Sequence, residues 1–260
     1  MKIGYYQMDV TWGDKQANIH NIELAISNVD LDLLVLPELF NVGYLFESRE
    51  QLSDLAERVP DGETTQALLQ LAQIKHCSIV GGIAEKEHSQ IFNTAILVKP
   101  DGRVDRYRKI HLSRYEKQFF TPGNEISLFE LNEIKIGVQI CFDAWFPEVS
   151  RQQMLQGADL LCFCANFGGA STPQIVKTRA MENMIYTVMC NRVGAEKNQS
   201  IDANFLGRSV ILDPNGQALN VEVEKVESLQ VSEIFPEKSR QKSNAMCKNL
   251  LEDVKIHYPF

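Results

Sequence analysis

The sequence predicts an α/β layered domain with a mixed sheet, on three observations. Short apolar runs stopped by turn residues alternate with segments of helical period. Several of the strand-like runs follow one another directly, which a purely parallel sheet with helical crossovers does not allow. No Pro-, Gly- or Ser-rich stretch, repeat or low-complexity segment interrupts the 260 residues. A single domain over 1–260 is therefore expected, with a core over about 1–235 and a tail over about 236–260.

Residues 2–7 alternate and then turn polar, which suits a first strand. Residues 15–28 carry Ala17, Ile19, Ile22, Leu24, Ala25 and Ile26 at roughly helical spacing and predict a helix. Residues 31–36 are short, apolar and stopped by Pro37, a buried strand with Glu38 just past its end. A second helix is expected over 64–75, on Leu68, Leu69 and Leu71. Residues 78–83 and 92–99 look like paired strands closed by the turn Pro100-Asp101-Gly102. Residues 103–112 are basic and extended, and 135–140 alternate Ile136, Val138 and Ile140 up to Cys141. A short helix over 147–156 ends at Gly157, and a buried strand follows over 158–164. A helix over 178–186 and a strand over 187–192 come next. Residues 205–213, the turn Pro214-Asn215-Gly216 and residues 225–232 finish the sheet region, and the polar tail from 237 has no assignable pattern.

At 44% hydrophobic and 23% charged, the composition is that of an ordinary globular chain, long enough to bury a substantial core. The net charge is -8 and Lys and Arg form no basic block, so no nucleic-acid partner is expected. No apolar run is long enough to span a bilayer, and the chain opens on a strand-like run without an apolar leader, so no membrane partner is expected. Six scattered cysteines are unlike a secreted disulfide scaffold and point to a reducing cytoplasm. Cys162 and Cys164 form C-x-C on one strand, where zinc sites show wider pairs and two further ligands, so no metal is expected.

Three residues stand where chemistry is carried. Cys141 follows a strand, at the rim where α/β folds place their sites, and a thiol there attacks a carbonyl or nitrile carbon once a base removes its proton. A cysteine taken alone is more often a small buried apolar residue. Glu38 also ends a buried strand, behind a proline. Desolvation there raises a carboxyl pKa and makes a better base near neutrality, whereas most carboxylates are simply exposed. Lys109, in Tyr107-Arg108-Lys109-Ile110-His111-Leu112, offers an ammonium for a tetrahedral oxyanion, or else a solvated strand face. His111, two residues on, is taken as structural.

Together these segments match a family. Leu36-Pro37-Glu38-Leu39-Phe40, then Tyr107 to Leu112, then Gly137-Val138-Gln139-Ile140-Cys141-Phe142-Asp143 resemble the three signature segments of the nitrilase superfamily of carbon–nitrogen hydrolases, in the family's order Glu, Lys, Cys. Tyr115-Glu116-Lys117 with Phe120-Thr121-Pro122-Gly123 resembles the segment bearing a second glutamate. Phe146-Pro147-Glu148, Arg179-Ala180-Met181-Glu182-Asn183, Asn191-Arg192-Val193-Gly194 and Gly207-Arg208-Ser209 also fit, so the resemblance runs from about Met1 to Ser232. It implies a four-layer αββα sandwich and, commonly, αββα–αββα pairing, hence a homodimer or higher homo-oligomer. It implies Glu38 as the base for Cys141, and Lys109 with the backbone N–H of Phe142 as holders of the oxyanion. It further implies a thioester intermediate, Glu116 positioning substrate or Lys109, and no metal or organic cofactor.

The branch follows from the residues after the cysteine. Members that act on nitriles usually carry Trp there, followed by Glu-His, whereas this chain has Phe142-Asp143-Ala144. Cys141 through Glu148 most resembles amidases and N-carbamoyl amine hydrolases, in which an aromatic at the place of Trp145 is familiar, so the resemblance makes Trp145 a candidate substrate-site residue, or else a packing residue. The expected reaction is therefore hydrolysis of a small-molecule carboxamide to ammonia and a carboxylic acid. The alternative is an N-carbamoyl amine giving ammonia and carbon dioxide; amide-forming acyl transfer and nitrile hydrolysis rank behind both. Asn166, in Asn166-Phe167-Gly168-Gly169 after a strand end, is a candidate for the pocket wall, since the glycines permit close backbone approach. Tyr44, after Gly43, is a candidate lining of the acyl pocket, or else surface-loop packing.

Overall fold

The structure, a computed structural model, describes residues 1–255; the end of the expected tail, 256–260, lies outside the described residues. In chain order the first half holds β1 (Lys2–Gln7), α1 (Lys15–Ile26), β2 (Leu33–Val35), α2 (Arg49–Leu55), α3 (Glu63–Lys75), β3 (Ser78–Glu87), β4 (Gln90–Val98) and β5 (Val104–Arg108). The second half holds β6 (Leu128–Leu131), β7 (Ile134–Ile140), α4 (Pro147–Leu155), β8 (Leu160–Cys164), α5 (Ser171–Asn183) and β9 (Tyr186–Cys190). It continues with β10 (Val193–Lys197), β11 (Asp202–Leu206), β12 (Val210–Leu212), β13 (Ser228–Glu233), α6 (Glu237–Arg240) and α7 (Leu250–Asp253).

Two sheets form, in the orders β13-β1-β2-β3-β4-β5 and β12-β9-β8-β7-β6, with β10 and β11 as a separate hairpin. Both are mixed: β1, β2 and β3 run parallel, as do β7, β8 and β9, and the outer strands are antiparallel. Period-two alternation sorts the side chains into layers. Ile3 and Tyr5 of β1, Leu33 and Val35 of β2, Val80 of β3 and Ala95 and Leu97 of β4 face Ile136, Val138 and Ile140 of β7 in one core between the sheets. The residues of opposite parity, Leu34, Ile79, Ile96 and Val98, join Ile22 and Ile26 of α1 and Leu68 and Leu71 of α3 in a second core on the far side of the first sheet. On the far side of the second sheet lie α4 and α5. There Gln139 of β7 turns outward and bonds Ser150 Oγ at 2.8 Å and Gln153 Oε1 at 2.9 Å on α4. The layers run α, β, β, α, the four-layer sandwich expected. Burying each Leu or Ile in these cores contributes about 1.5–3 kcal/mol.

The helices are fastened where the sequence has caps. Asp14 accepts the N–H of Ala17 at 2.9 Å and starts α1. The Glu57 carboxylate accepts the N–H groups of Thr64 and Thr65 at 3.2 and 3.1 Å and anchors the start of α3, which ends at His76 in the left-handed region. Several bounds differ from the expectations. The helix expected over 178–186 begins earlier, at Ser171, because Thr172, Val176, Ala180 and Asn183 already form its buried stripe. The run 205–213 is not one strand: Gly207 and Arg208 take φ of 76° and 59°, and the chain leaves the hairpin there for the second sheet. The extended stretch expected over 103–112 ends as a strand at Arg108, where the backbone turns toward the site. The helix α2, with only Leu52 buried, had no apolar stripe to reveal it.

Candidate active site

The topology gathers the candidate residues at one rim. Glu38 follows β2, Cys141 follows β7 and Asn166 follows β8, all at carboxyl ends of parallel strands, where α/β sheets place their ligands. Lys109 follows β5, which runs parallel to β3 because two antiparallel pairings separate them. The cavity of about 400 Å³ lined by Asp32, Ser78 and Ile134 lies at the opposite ends of these strands and belongs to no part of this cluster. Close approach of the Glu38 segment to β3 requires Gly82: a Cβ there would lie 2.6 Å from the Glu38 Cα. The contact is sealed by Gly82 N–H to Pro37 O and Phe40 N–H to Gly82 O, both 3.0 Å.

Glu38, Lys109 and Glu116 are fully buried and in direct contact. The Lys109 Nζ lies 2.6 Å from Glu38 Oε1 and 2.6 Å from Glu116 Oε1. The second oxygen of Glu116 accepts the N–H of Ser113 at 2.8 Å, whereas the second oxygen of Glu38, also buried, has no hydrogen-bond partner among the described residues. Burial drives Glu38 up; Lys109 draws it back and Glu116 pushes it further, leaving it at about 7 against an ordinary 4.5. Burial acts on Glu116 as well, but Lys109 and the bonds from Ser113 hold it below its ordinary value. Burial opposes the charge on Lys109, yet the Glu116 and Glu38 carboxylates hold the ammonium well above its ordinary range. Two carboxylates in one cluster are thus pushed apart in pKa, the arrangement that separates a proton acceptor from a permanent anion.

Cys141 opens a 3-10 turn, Cys141–Trp145, directly after β7, and takes a φ of 47°, uncommon for a non-glycine residue. Burial raises its thiol pKa well above the ordinary value and the Glu38 charge adds to this, while Lys109 pulls it down. Burial thus favours the neutral thiol over the thiolate, with Glu38 and Lys109 acting on it in opposite directions.

Asp143, fully buried two residues after the cysteine, holds this turn to the lysine segment. Its Oδ2 accepts the Tyr107 hydroxyl at 2.8 Å and the Ile140 N–H at 3.1 Å. Its Oδ1 accepts the His111 N–H at 2.9 Å and lies 3.0 Å from His111 Nδ1. Tyr107 and His111 flank Lys109, and Ile140 and Asp143 bracket Cys141. His111, taken from the sequence as structural, also stacks on Phe146 with ring centroids 3.7 Å apart. Asn93, on β4, bonds both glutamates. Neither Asn93 nor Asp143 was singled out in the sequence, although a polar residue inside the apolar run Ile91 to Val98 was a signal for Asn93.

The remaining candidates sit around this center. Tyr44 is half-buried, its hydroxyl 3.5 Å from Ser113 Oγ; burial, then Glu116, hold that hydroxyl well above its ordinary pKa. Its backbone N–H and that of Leu45 are held by Glu196 Oε2 at 2.8 and 2.9 Å. Asn166 is buried, and neither polar atom of its side chain has a partner among the described residues. Phe142 is half-buried with its ring 6.3 Å from that of Trp145, and Trp145 itself is 46% exposed. Among the described residues no group of three His, Cys, Asp or Glu side chains is arranged to hold a metal ion, and no helix is long and apolar enough to cross a membrane.

A four-layer sandwich carrying a buried Glu, a Lys and a thiol after its strand ends, with a second buried Glu on the same Lys, fits one class, the αββα hydrolases acting on carbon–nitrogen bonds. The chain matches the carbon-nitrogen hydrolase family over residues 2–242 and belongs to it. It is 38% identical to a protein of Pyrococcus abyssi named "Nitrilase", covering 100% of this chain and 99% of that one. It is 30% identical to the 2-oxoglutaramate amidase of Bacillus subtilis, covering 90% of this chain and 95% of the relative. Among solved structures, a CN-hydrolase superfamily protein of Xanthomonas campestris with an arsenic adduct in its active site superimposes with a TM-score of 0.87 at 25% identity, covering 99% and 98% of the two chains.

Proposed function

We propose that this carbon–nitrogen hydrolase is a cysteine-dependent amidase that cleaves a small linear carboxamide through a thioester. The observation that carries the reading is the buried pair of glutamates on one lysine: Glu38 near neutrality with one oxygen unengaged, Glu116 held ionised. Glu38 Oε2 takes the proton of Cys141 as the sulfur bonds to the carbonyl carbon. The negative charge gathers on the carbonyl oxygen, held by the third N–H of Lys109 and the backbone N–H of Phe142. Collapse breaks the C–N bond, the proton on Glu38 passes to the leaving nitrogen, and ammonia departs. Water then gives a proton to Glu38 and attacks the thioester, and the sulfur leaves and recovers that proton as the acid is released. Glu116 keeps Lys109 cationic throughout, and Tyr44 and Asn166 contact the substrate beside the sulfur, Asn166 with its unpartnered amide.

Amide chemistry is supported by the amidase relative and by Phe142-Asp143 after the nucleophile. Nitrile hydrolysis is the second reading, favoured by the name of the Pyrococcus abyssi relative, since the same thiol can attack a nitrile carbon. A panel of small amides, ω-amides of dicarboxylic acids, N-carbamoyl amines and nitriles, read by ammonia release and product mass, tests both. Ammonia and the acid from an amide are expected. Carbon dioxide with ammonia marks the carbamoyl branch, a coupled product in the presence of an amine marks acyl transfer, and turnover of nitriles alone overturns the amidase reading. Cys141→Ala is expected to fold and to lose turnover; an active variant refutes the nucleophile. A cytoplasmic homodimer or higher homo-oligomer is part of the same proposal, with light scattering as its check on assembly.

A further inference from the structure

The reaction above leaves without a task the fully buried amide that touches both glutamates. Asn93 pairs with Ala84 across β4 and β3, and its side chain is shut off from solvent. Its Nδ2 lies 2.6 Å from Glu38 Oε1 and 2.8 Å from Glu116 Oε1. Its backbone carbonyl accepts the Lys109 N–H at 2.8 Å. A carboxamide has two N–H donors, and both are used on carboxylates here. The flipped rotamer would set Oδ1 against two carboxylate oxygens, so the donors must face them. Lys109 Nζ spans the same two atoms. Each Oε1 is therefore held by one cation and one neutral donor.

We propose that Asn93 is a positioning residue of the reaction, tying Oε1 of Glu38 to Oε1 of Glu116 so that Glu38 Oε2 stays unengaged and able to take the thiol proton and Lys109 keeps one N–H for the oxyanion. The inference rests on the amidase reading. Two carboxylates sharing one ammonium repel each other, and a neutral amide bridging them adds a bond to each without adding charge. With that bridge gone, Glu38 can rotate and present both oxygens to Lys109, which removes the free base. Losing a donor to the ionised form also disfavours that form, so Glu38 takes up its proton at a higher pH. The hydrogen bond from Asn93 acts in that sense on Glu38, lowering its pKa.

The test follows alkylation of Cys141 by iodoacetamide, read by peptide mass, and amide turnover, both against pH, in the wild type, Asn93→Leu and Asn93→Ser. Leucine is close in size and has no donor; serine is smaller and keeps one. Asn93→Leu is expected to move the low-pH limb of both profiles upward by about one unit, about a tenfold loss below the limb, and to lower kcat with KM near the wild-type value. Asn93→Ser is expected to move the limb in the same direction by less. A lowered Tm in either variant with the limb in its wild-type place means that Asn93 only packs the strand, and overturns the proposal. Should Asn93→Leu fail to fold, the serine variant decides on the same criterion. If the alkylation limb shifts but the wild type hydrolyses no amide, the amidase reading fails and the tie to Glu38 stands; if amides are hydrolysed and the limb stays put, the reverse holds.

Discussion

Asp143→Asn probes the clamp between the two segments that carry Lys109 and Cys141. The asparagine Oδ1 can still accept from His111 N–H and Nδ1. The other end becomes a donor facing the Ile140 N–H, which leaves that buried group unsatisfied, and facing Tyr107, whose hydroxyl can turn to accept. One orphaned donor costs about 1–3 kcal/mol, and replacing charge-assisted bonds with neutral ones adds about 1 kcal/mol. The sum is about 2–4 kcal/mol, and at about 2–4 °C per kcal/mol for a chain near this size the Tm falls by about 5–15 °C. The left-handed backbone at Cys141 makes the turn sensitive, since such a conformation persists only where its surroundings enforce it. With the hold loosened, sulfur and ammonium no longer share a fixed separation, and kcat falls by about 10–100-fold. Thermal unfolding by circular dichroism and amide turnover are the assays. A variant that melts with the wild type and turns over at its rate removes the clamp from the account.

Three further outcomes follow from the charges. Because Glu38 must be ionised to accept a proton and sits at about 7, kcat/KM is expected to fall about tenfold per unit as pH drops below that value, and a flat profile down to pH 5 refutes it as the base. A carboxyl pKa raised by folding means that Glu38 contributes most stability below its unfolded pKa and loses that contribution as pH rises through about 7. Glu38→Gln should therefore abolish turnover while melting no lower than wild type at pH 8; a lower Tm contradicts the sign. Lys109→Met leaves two buried carboxylates facing each other and is expected to cost about 3–5 kcal/mol at pH 8. That deficit should shrink toward pH 5 as Glu38 takes a proton, and adding Glu116→Gln should restore stability without restoring activity. Denaturant curves showing one deficit at both pH values defeat the electrostatic explanation.

Much of the architecture was legible because it is written in period. The alternation at 2–7 and the apolar run at 31–36 needed only to be paired to give β1 and β2, and both kept their places within a residue or three. What failed was local geometry set by distant contacts. Gly207 and Arg208 break the 205–213 run because the backbone must leave one sheet for another, and the lone glycine at 207 is the only local mark of the place. Glu38, Lys109 and Cys141 stood out from their own segments and order, and the fold gathers them at one rim. Asn93 and Asp143 did not stand out, and His111 was noticed only as structural, because their roles are relations. A single Asn in a strand acquires meaning only from the two carboxylates beyond it, and Asp143 only from Tyr107 and Ile140. The exposed Trp145 shows the converse, since its place in the motif gave no sign that its ring lies at the surface.

The raised pKa of the thiol looks at first like an obstacle to a nucleophile, but the charge balance of the site makes it an advantage. In the form competent to accept a proton, with Lys109 cationic and both glutamates ionised, the buried cluster carries one net negative charge. Forming a thiolate by losing a proton to solvent would make that two, in surroundings that solvate charge poorly. Passing the proton to Glu38 keeps it at one. The same holds for each later step of the proposed reaction: the charge leaves sulfur for the carbonyl oxygen beside Lys109 while Glu38 is neutral, and returns to Glu38 as ammonia departs. Glu116 makes this possible by staying ionised at every stage, so that Lys109 never has to choose between the base and the oxyanion for its charge. A site with one glutamate would hold a neutral pair at rest. Its lysine would then be tied to the base by the full attraction of an isolated ion pair, which would depress the basicity of Glu38 and strip the thiol of its acceptor.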